Sequence, residues 1–490
     1  MEETGSSHAV SGRKKQRVNK YAFACALLAS TNSILLGYDI GVMSGASLFI
    51  QQTLKLTVTE TEVLTGILNV MSLFGSLLSG KTSDLIGRRY TIILASGTFL
   101  IGALLMGLAP SFPFLLAGRM VAGIGVGYAL MIGPVYVAEL SPAMTRGLLS
   151  SFPEIFITVG ILLGYIVNFS LTGVSPKYNW RIMLGLAGFP AIIVAIGVMS
   201  MPESPRWLVM NGKHDEAKRV LRKTSESDEE AETRLAEMEK AFEEAVGASA
   251  NFRGQGVWKE LLIKPSPAVR RILVAAIGIN FFMQASGNDA VIYYTPQVLK
   301  AAGVMNKRLL MGINIVMGMS KTFFVLVSAL FLDHYGRRPL LLLGTAGVAV
   351  SLFTLGVGSH FLTASHDKPA WVLAICVVSI CAFLSFFSIG LGPITWVYSA
   401  EIFPMRLRAQ GSSIAVSVNR VVSGVITMSF LTVAKKITFA GEFWLLSGIM
   451  VVATVFFYFV MPETKGRSLE QIQALFEKKG DDTSPKVDDS

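Results

Sequence analysis

Charge is scarce in this chain. Only 16% of its 490 residues are Asp, Glu, Lys or Arg, against about a quarter in an ordinary soluble domain. That excludes a solvated globular surface over most of the length. Cysteine is scarcer still. Cys25, Cys376 and Cys381 all sit in apolar segments, with neither the framework of extracellular disulfides nor the spacing of a metal site. The five histidines are scattered and show no nucleophile–base or metal spacing, so no enzyme and no cofactor is expected. The first twenty residues carry Arg13, Lys14, Lys15, Arg17 and Lys20 but no apolar run. They read as a cytoplasmic tail rather than a cleavable signal peptide.

Apolar residues fill the rest: they make up 52% of the chain, with a mean hydropathy of +0.55. Twelve apolar segments run near 22–42, 64–83, 91–109, 114–138, 149–171 and 181–201, then 272–295, 309–332, 339–362, 371–398, 411–433 and 442–461. A helix of about 20 residues crosses the ~30 Å hydrocarbon core of a bilayer. The segments are continuous rather than alternating, which argues against a β-barrel. The reading is an all-α membrane protein of twelve transmembrane helices, with the lipid bilayer as partner. It divides into a tail 1–21, a six-helix half 22–201, a helical linker 202–271, a second six-helix half 272–461 and a tail 462–490.

The net charge of +10 does not point to nucleic acid. Most basic residues lie in short turns on one face: Lys81, Arg88 and Arg89; Arg146; Arg337 and Arg338; Arg406 and Arg408. By the positive-inside rule that face, the linker and both termini are cytoplasmic. Lys300, Lys307 and Arg308 run against the rule on the opposite face.

The chain also repeats itself. Asp84-Leu-Ile-Gly87-Arg88-Arg89 returns as Asp333-His-Tyr-Gly336-Arg337-Arg338, Glu139-x-x-Pro142-x-x-x-Arg146 as Glu401-x-x-Pro404-x-x-x-Arg408, and Pro202-Glu203-Ser204 as Pro462-Glu463-Thr464. Three pairs in the same order, at offsets of 249, 262 and 260, imply two parallel halves made by duplication. Glycine permits a tight turn. Arginine reaches carboxylates and helix C-terminal carbonyls. Asp84, Arg88, Arg89, Glu139, Arg146, Asp333, Arg337, Arg338, Glu401 and Arg408 are therefore expected to form a cytoplasmic gate whose ion pairs hold the halves together when it is shut.

An ionisable group at the bilayer centre costs roughly 2.5–3.5 kcal/mol on insertion scales, so each one needs a reason. Asp39 on the first segment and Arg119 on the fourth are the natural pair. A carboxylate whose pKa falls when paired and rises when unpaired in an apolar site can carry a proton; a fixed salt bridge is the alternative. Gly123, Gly125 and Gly127 after Arg119 read as close helix packing rather than phosphate binding. Gln284 and Asn288 lie four apart on one face of the seventh helix, with Asp289, Tyr293 and Tyr294 following. Trp396 comes after the bend-permitting Gly390-Leu-Gly392-Pro393, and Asn419 is on the eleventh helix. Amides suit hydroxyl groups and an indole face suits C–H surfaces, so this set fits a polyhydroxylated ligand. Interhelical hydrogen bonding is the alternative for any one amide.

The paired Gly-Arg-Arg motifs, Pro202-Glu-Ser-Pro-Arg-Trp-Leu208 and Pro462-Glu-Thr-Lys-Gly466 resemble the sugar porter branch of the major facilitator superfamily, over about residues 20–475. Leu64-Thr-Gly-Ile-Leu-Asn69, Ser151-Phe-Pro-Glu-Ile155, Gly160-Ile-Leu-Leu-Gly-Tyr165, Ile389-Gly-Leu-Gly-Pro-Ile-Thr-Trp-Val-Tyr398 and Leu407-Arg-Ala-Gln-Gly411 are similar to the plant polyol/monosaccharide proton symporters. The resemblance implies the major facilitator fold, a central site and alternating access. It also implies that Asp39 carries the proton under the control of Arg119, and that Gln284, Trp396 and Asn419 touch substrate.

The chain departs from the pattern in four charges. Met283-Gln284-Ala-Ser-Gly287-Asn288-Asp289 stands where sugar porters commonly have Gln-Gln-x-x-Gly-x-Asn, Glu154 where hexose porters usually have Gln, and Lys321 and Arg420 where charge is uncommon. Glu154, Asp289, Lys321 and Arg420 are expected to form a charged network around the site, with Asn288 and Tyr293 beside it. The expected function is proton-coupled symport of linear or cyclic polyols and/or monosaccharides across the plasma membrane by a monomer, with the proton as co-transported ion. A proton-independent facilitator is the first alternative. A sugar sensor is the second, disfavoured by the short stretch Glu477 to Ser490.

Overall fold

The structure, a computed structural model, describes residues 19–141, 149–247, 261, 263, 265–301, 303–364, 370–403, 407–465 and 476. The first half is built from α1 (Lys20–Thr31), α2 (Ile34–Leu54), α3 (Val58–Ile86), α4 (Arg88–Gly107), α5 (Phe112–Leu140), α6 (Phe152–Leu171), α7 (Pro176–Gly185) and α8 (Gly188–Met199). Three helices follow, α9 (Pro205–Met210), α10 (His214–Thr224) and α11 (Asp228–Gly247). The second half holds α12 (Pro267–Ala285), α13 (Asn288–Ala301), α14 (Lys307–Tyr335), α15 (Arg337–Ala364), α16 (Ala370–Ile389), α17 (Leu391–Ile402) and α18 (Arg408–Val460).

Among the described residues, eleven helical stretches are long and apolar enough to cross a membrane. The last, Gln410–Val460, has 51 residues. At ~1.5 Å per residue it would be more than twice as long as the ~30 Å hydrocarbon core is thick. It is two spans. Thr438 sits at φ 69°, ψ 161° and breaks α18 between the eleventh and twelfth expected segments. The amide of Gly441 restarts the helix by donating to Thr438 Oγ1 at 3.3 Å. The twelve spans read from the sequence are therefore present.

Three other spans are interrupted where the chemistry lies or close to it. The first breaks between α1 and α2, the seventh at Gly287 (φ 76°) and the tenth at Gly390. Irregular backbone at membrane depth is tolerated only where protein or a cavity surrounds it. The breaks thus place Gln284, Asn288, Asp289 and Trp396 beside non-helical turns in the interior.

The halves meet along two antiparallel helix pairs. On the α3–α18 seam, a Cβ added at Gly66 would fall 2.4 Å from Met428 Cγ, and one at Gly80 would fall 3.0 Å from Ser413 Oγ. Ser76 and Ser417 share a hydrogen bond of 3.1 Å between them. On the α6–α14 seam, Gly318 lies against Leu162 and Tyr165, and Thr322 donates to the Thr158 carbonyl at 3.4 Å. Within the first half the glycines after Arg119 do what packing requires: a Cβ at Gly127 would fall 2.1 Å from the Ser72 carbonyl.

Helices α9–α11 dock on one face of the first half, here called the linker face. Trp207 Nε1 donates to the Asp84 carbonyl (3.0 Å), Arg234 Nη2 to the Leu140 carbonyl (3.2 Å), and Asn19 Nδ2 to the Ser225 carbonyl (2.7 Å). Lys465 Nζ donates to the His334 carbonyl in the corresponding place on the second half. The opposite surface is called the far face.

Candidate functional site

At the linker face the duplication is visible atom by atom. Gly87 (φ 98°) and Gly336 (φ 93°) take backbone conformations that side chains disfavour. Each turn leaves the first amides of the next helix without helical acceptors. Glu203 takes those of Arg88 (2.9 Å) and Arg89; Glu463 takes those of Arg337 (3.0 Å) and Arg338 (2.9 Å). A carboxylate at a helix N-terminus also meets the positive end of the helix dipole. Burial pushes Glu203 above the usual carboxylate range, opposed by these N–H donors. In the sequence the two glutamates are visible as a motif pair, but nothing local gives them this role.

The structure joins Asp84, Arg88 and Glu139. Arg88 donates to Asp84 Oδ1 (2.9 Å) and forks onto Glu139 through Nε (3.1 Å) and Nη2 (3.2 Å), while Ser204 Oγ donates to the same carboxylate. Arg89 and Arg338 turn away, to the Met199 and Tyr458 carbonyls. These contacts of both copies run within a half, not between halves. Arg146 lies outside the described residues, as do the side chains of Asp333, Glu401 and Arg408.

In the interior of the first half, Asp39 and Arg119 are both fully buried. Arg119 Nη1 donates to Asp39 Oδ1 at 2.5 Å. Its Nε and Nη2 donate to the Leu64 and Thr65 carbonyls of α3, each at 3.1 Å. Asp39 Oδ2 is buried without a hydrogen-bond partner among the described residues. A buried acceptor left open costs about 1–3 kcal/mol, more when charged, and a proton on that oxygen removes the charge.

The second polar cluster belongs mostly to the second half. Asp289 accepts from Asn288 Nδ2 (3.0 Å) and Ser423 Oγ (2.6 Å), and Arg420 Nη1 stands 3.9 Å from it. Lys321 Nζ donates to Asn288 Oδ1 (3.0 Å) and lies 4.9 Å over the Phe387 ring. Arg420 Nε donates to Asn419 Oδ1 (2.9 Å). With its amide turned to satisfy both ends, Gln284 donates to Asp289 Oδ2 (3.0 Å) and accepts from Arg420 Nη2 (2.6 Å). Asn280 and Ser423, neither singled out from the sequence, complete the cluster: the Asn280 carbonyl accepts from Asn419 Nδ2 at 3.4 Å, and Asn280 Nδ2 donates to Ser399 Oγ at 2.9 Å. Tyr293 is buried with no hydrogen-bond partner for its hydroxyl among the described residues, while the Tyr294 hydroxyl donates to the Thr427 carbonyl.

Glu154 makes no ion pair within 4 Å among the described residues, yet it lies within electrostatic reach of Lys321, Asp289 and Arg420. It opens α6 in the first half, and its Oε2 accepts from Trp396 Nε1 of the second half at 2.9 Å. Gly392 makes room, since a Cβ there would fall 3.0 Å from Glu154 Oε1. Within electrostatic reach of one another, the four charges differ in their direct contacts: Asp289 with Arg420, Lys321 with Asn288, and Glu154 with an indole. Positive and negative charges balance, and all of these side chains are at most 5% exposed. A neutral ligand rich in hydroxyl groups suits such a site, since it neither adds charge nor leaves the buried donors and acceptors unpaired.

Comparison with known proteins agrees with this geometry. The sequence family described as Sugar (and other) transporter matches residues 25–476. The chain is 52% identical over 471 residues to Polyol transporter 5 of Arabidopsis thaliana, covering 94% of this chain and 87% of that one. Among solved structures it is similar to the major facilitator superfamily proton:xylose symporter XylE bound to 6-bromo-6-deoxy-D-glucose (TM-score 0.80, 27% identity, 94% of this chain and 100% of the other). Against the inward open conformation of XylE from E. coli the TM-score is 0.73, at 26% identity, with 93% of this chain and 100% of the other covered.

Proposed function

This chain belongs to the sugar (and other) transporter family, and on that premise we propose that it is a proton-coupled symporter of polyols and monosaccharides working by alternating access. The relatives that support this reading are a polyol transporter at 52% identity and a proton:xylose symporter of the same fold. The observation that carries the proton step is the buried Asp39, paired to Arg119 through one oxygen and open at the other. Protonation at Oδ2 discharges the carboxylate and weakens its hold on Arg119. The guanidinium then keeps only the Leu64 and Thr65 carbonyls, so α3 is the element that feels the change. Because α3 lines a seam between the halves, a proton on Asp39 biases how the halves sit.

Substrate binds, in this reading, among Gln284, Asn288, Asp289, Tyr293, Lys321, Trp396, Asn419 and Arg420 on the second half, with Glu154 reaching across from the first. Hydroxyl groups of the ligand exchange for the internal hydrogen bonds of the cluster. The linker face is cytoplasmic, the membrane is the plasma membrane and a single chain is the functional unit. Asp84, Arg88, Glu139 and Glu203 in the first half, and Arg337 and Glu463 in the second, brace the cytoplasmic end of each half, so that the cytoplasmic gate opens and shuts by movement of whole halves. No cofactor takes part beyond the transported proton.

The test is uptake in transport-deficient cells over a panel of linear polyols, inositol, pentoses and hexoses at two external pH values. Concentrative uptake that falls as external pH rises supports symport. Uptake that never exceeds equilibration and ignores pH would leave a facilitator instead.

A further inference from the structure

Glu62 is a buried carboxylate that the proposed transport chemistry does not use. It lies in the second turn of α3 near the far face and is 1% exposed. Its Oε1 accepts the backbone amide of Thr432 at 2.8 Å and its Oε2 accepts the Thr432 hydroxyl. Among the described residues no cation stands within ion-pair distance of it. A desolvated carboxylate is retained only where hydrogen bonds replace its water, and here both donors come from the opposite half. One turn away on α18, the Thr427 carbonyl accepts from Tyr294 of α13. Further in, Gly66 packs on Met428 along the same seam. On α3 itself, Leu64 and Thr65 offer Arg119 their carbonyls, two and three residues after Glu62.

Two more contacts close the same rim. Lys307 Nζ donates to Gln52 Oε1 at 2.9 Å and lies 5.0 Å over Phe49, while Arg308 lies 5.3 Å over Phe169. Each joins the halves. Unlike Glu62, Lys307 and Arg308 sit at partly exposed and exposed positions, where charge contributes little.

We propose that Glu62 is the latch of the far-face gate: it holds the closed state by gripping Thr432 of the opposite half, and it sits on the stretch of α3 that Arg119 also grips. Opening the far face then requires the Glu62–Thr432 contact to break, and weakening it shifts the resting population toward the far-face-open form. The inference takes from the transport reading only that the halves move. It makes Glu62 a positioning residue of the cycle rather than a substrate contact.

The experiment uses the full chain in intact membranes with a reporter cysteine, Thr65→Cys, buried one turn inside the latch. A membrane-impermeant maleimide is applied at the far face, and the parent's reaction at its own cysteines is subtracted. Glu62→Ala is expected to speed labelling about tenfold, the scale of one or two charge-assisted hydrogen bonds. Glu62→Gln and Thr432→Val should give smaller increases, and the Glu62→Ala/Thr432→Val pair no more than Glu62→Ala alone. If Glu62→Ala does not reach the membrane, Glu62→Gln and Thr432→Val carry the test. Transport adds a second readout: KM for substrate at the far face should fall together with maximal rate, because more carriers wait open. Unchanged labelling, or increases that simply add, would overturn the latch. Faster labelling in a protein that moves nothing on the substrate panel would uphold the latch and remove the transport reading.

Discussion

Trp396 Nε1 donates to Glu154 Oε2 at 2.9 Å, a bond that crosses between the two halves in the buried interior. The indole belongs to α17 just past the Gly390 break, and the carboxylate to the first turn of α6. Any rocking of the halves stretches this bond, and a ligand between them competes for it. Glu154→Gln keeps an acceptor for the indole but loses the charge that strengthens it. The ratio of polyol to hexose uptake should fall roughly five- to tenfold, the scale of about 1–1.4 kcal/mol. Competition uptake with one labelled polyol and one labelled hexose checks this; an unaltered ratio removes Glu154 from specificity.

Asp39→Asn tests the proton. An amide can satisfy Arg119 partly but carries no titrating proton, so concentrative uptake and its dependence on external pH should vanish. Exchange of labelled for unlabelled substrate at equal concentrations should persist. Arg119→Ala is a different lesion. It leaves a buried carboxylate without its partner, at a cost of about 3–5 kcal/mol, and should lower surface expression and melting temperature. If Asp39→Asn still accumulated substrate against its gradient in a pH-driven way, Asp39 would not be the carrier.

The glycines of the repeated motif make a test free of transport assays. A Cβ at Gly87 would fall 2.4 Å from Glu203 Oε2, and one at Gly336 2.8 Å from Glu463 Oε2. Both positions also have positive φ. Their ψ angles of 163° and 170° put both in a region that is essentially restricted to glycine, so alanine should cost about 1–3 kcal/mol at either position for conformation alone, and more where the glutamate cannot retreat. Thermal unfolding in detergent, followed by intrinsic fluorescence, should show both variants melting below the parent. Equal melting temperatures would mean that the turn relaxes.

Much of this was legible in the sequence, for a physical reason. Bilayer thickness fixes helix length, so twelve apolar runs announce twelve spans, and duplicated turns announce two halves. Buried charges are costly enough that Asp39, Arg119, Asp289 and Arg420 stood out at once, and the structure pairs them. What could not be read was partnership across distance. Glu62 lies just after a capping box of Thr57 and Glu60, the ordinary start of a helix. It fell outside the expected apolar segment, and nothing local says that its carboxylate meets a residue 370 positions away. Lys307 and Arg308 broke the positive-inside rule without explanation until Gln52, Phe49 and Phe169 appeared beneath them. Glu154, Asp289, Lys321 and Arg420 are expected from the sequence as one network, and they do lie within electrostatic reach of one another, but which hydrogen bonds each makes depends on backbone breaks such as those at Gly287 and Gly390, whose geometry single residues do not reveal.

The linker offers a final prediction. Arg234 on α11 donates from Nη2 to the Leu140 carbonyl (3.2 Å) and from Nη1 to Ser225 Oγ (3.2 Å). Leu140 is the last residue of α5, whose Glu139 belongs to the Arg88 cluster, so one guanidinium ties the linker to the end of that helix. Burial holds Arg234 below the usual arginine range, yet the guanidinium stays charged at any physiological pH. Arg234→Lys keeps the charge but loses the fork that reaches two partners at once. Arg234→Ala should therefore release α11 at a cost of about 1–3 kcal/mol, and Arg234→Lys at somewhat less. Limited proteolysis from the linker face should cut within α10–α11 faster in both variants, in that order, while the spans stay intact. Cleavage no faster than in the parent would place the hold on the linker in the apolar contacts of Leu208, Val209 and Ala217 rather than in Arg234.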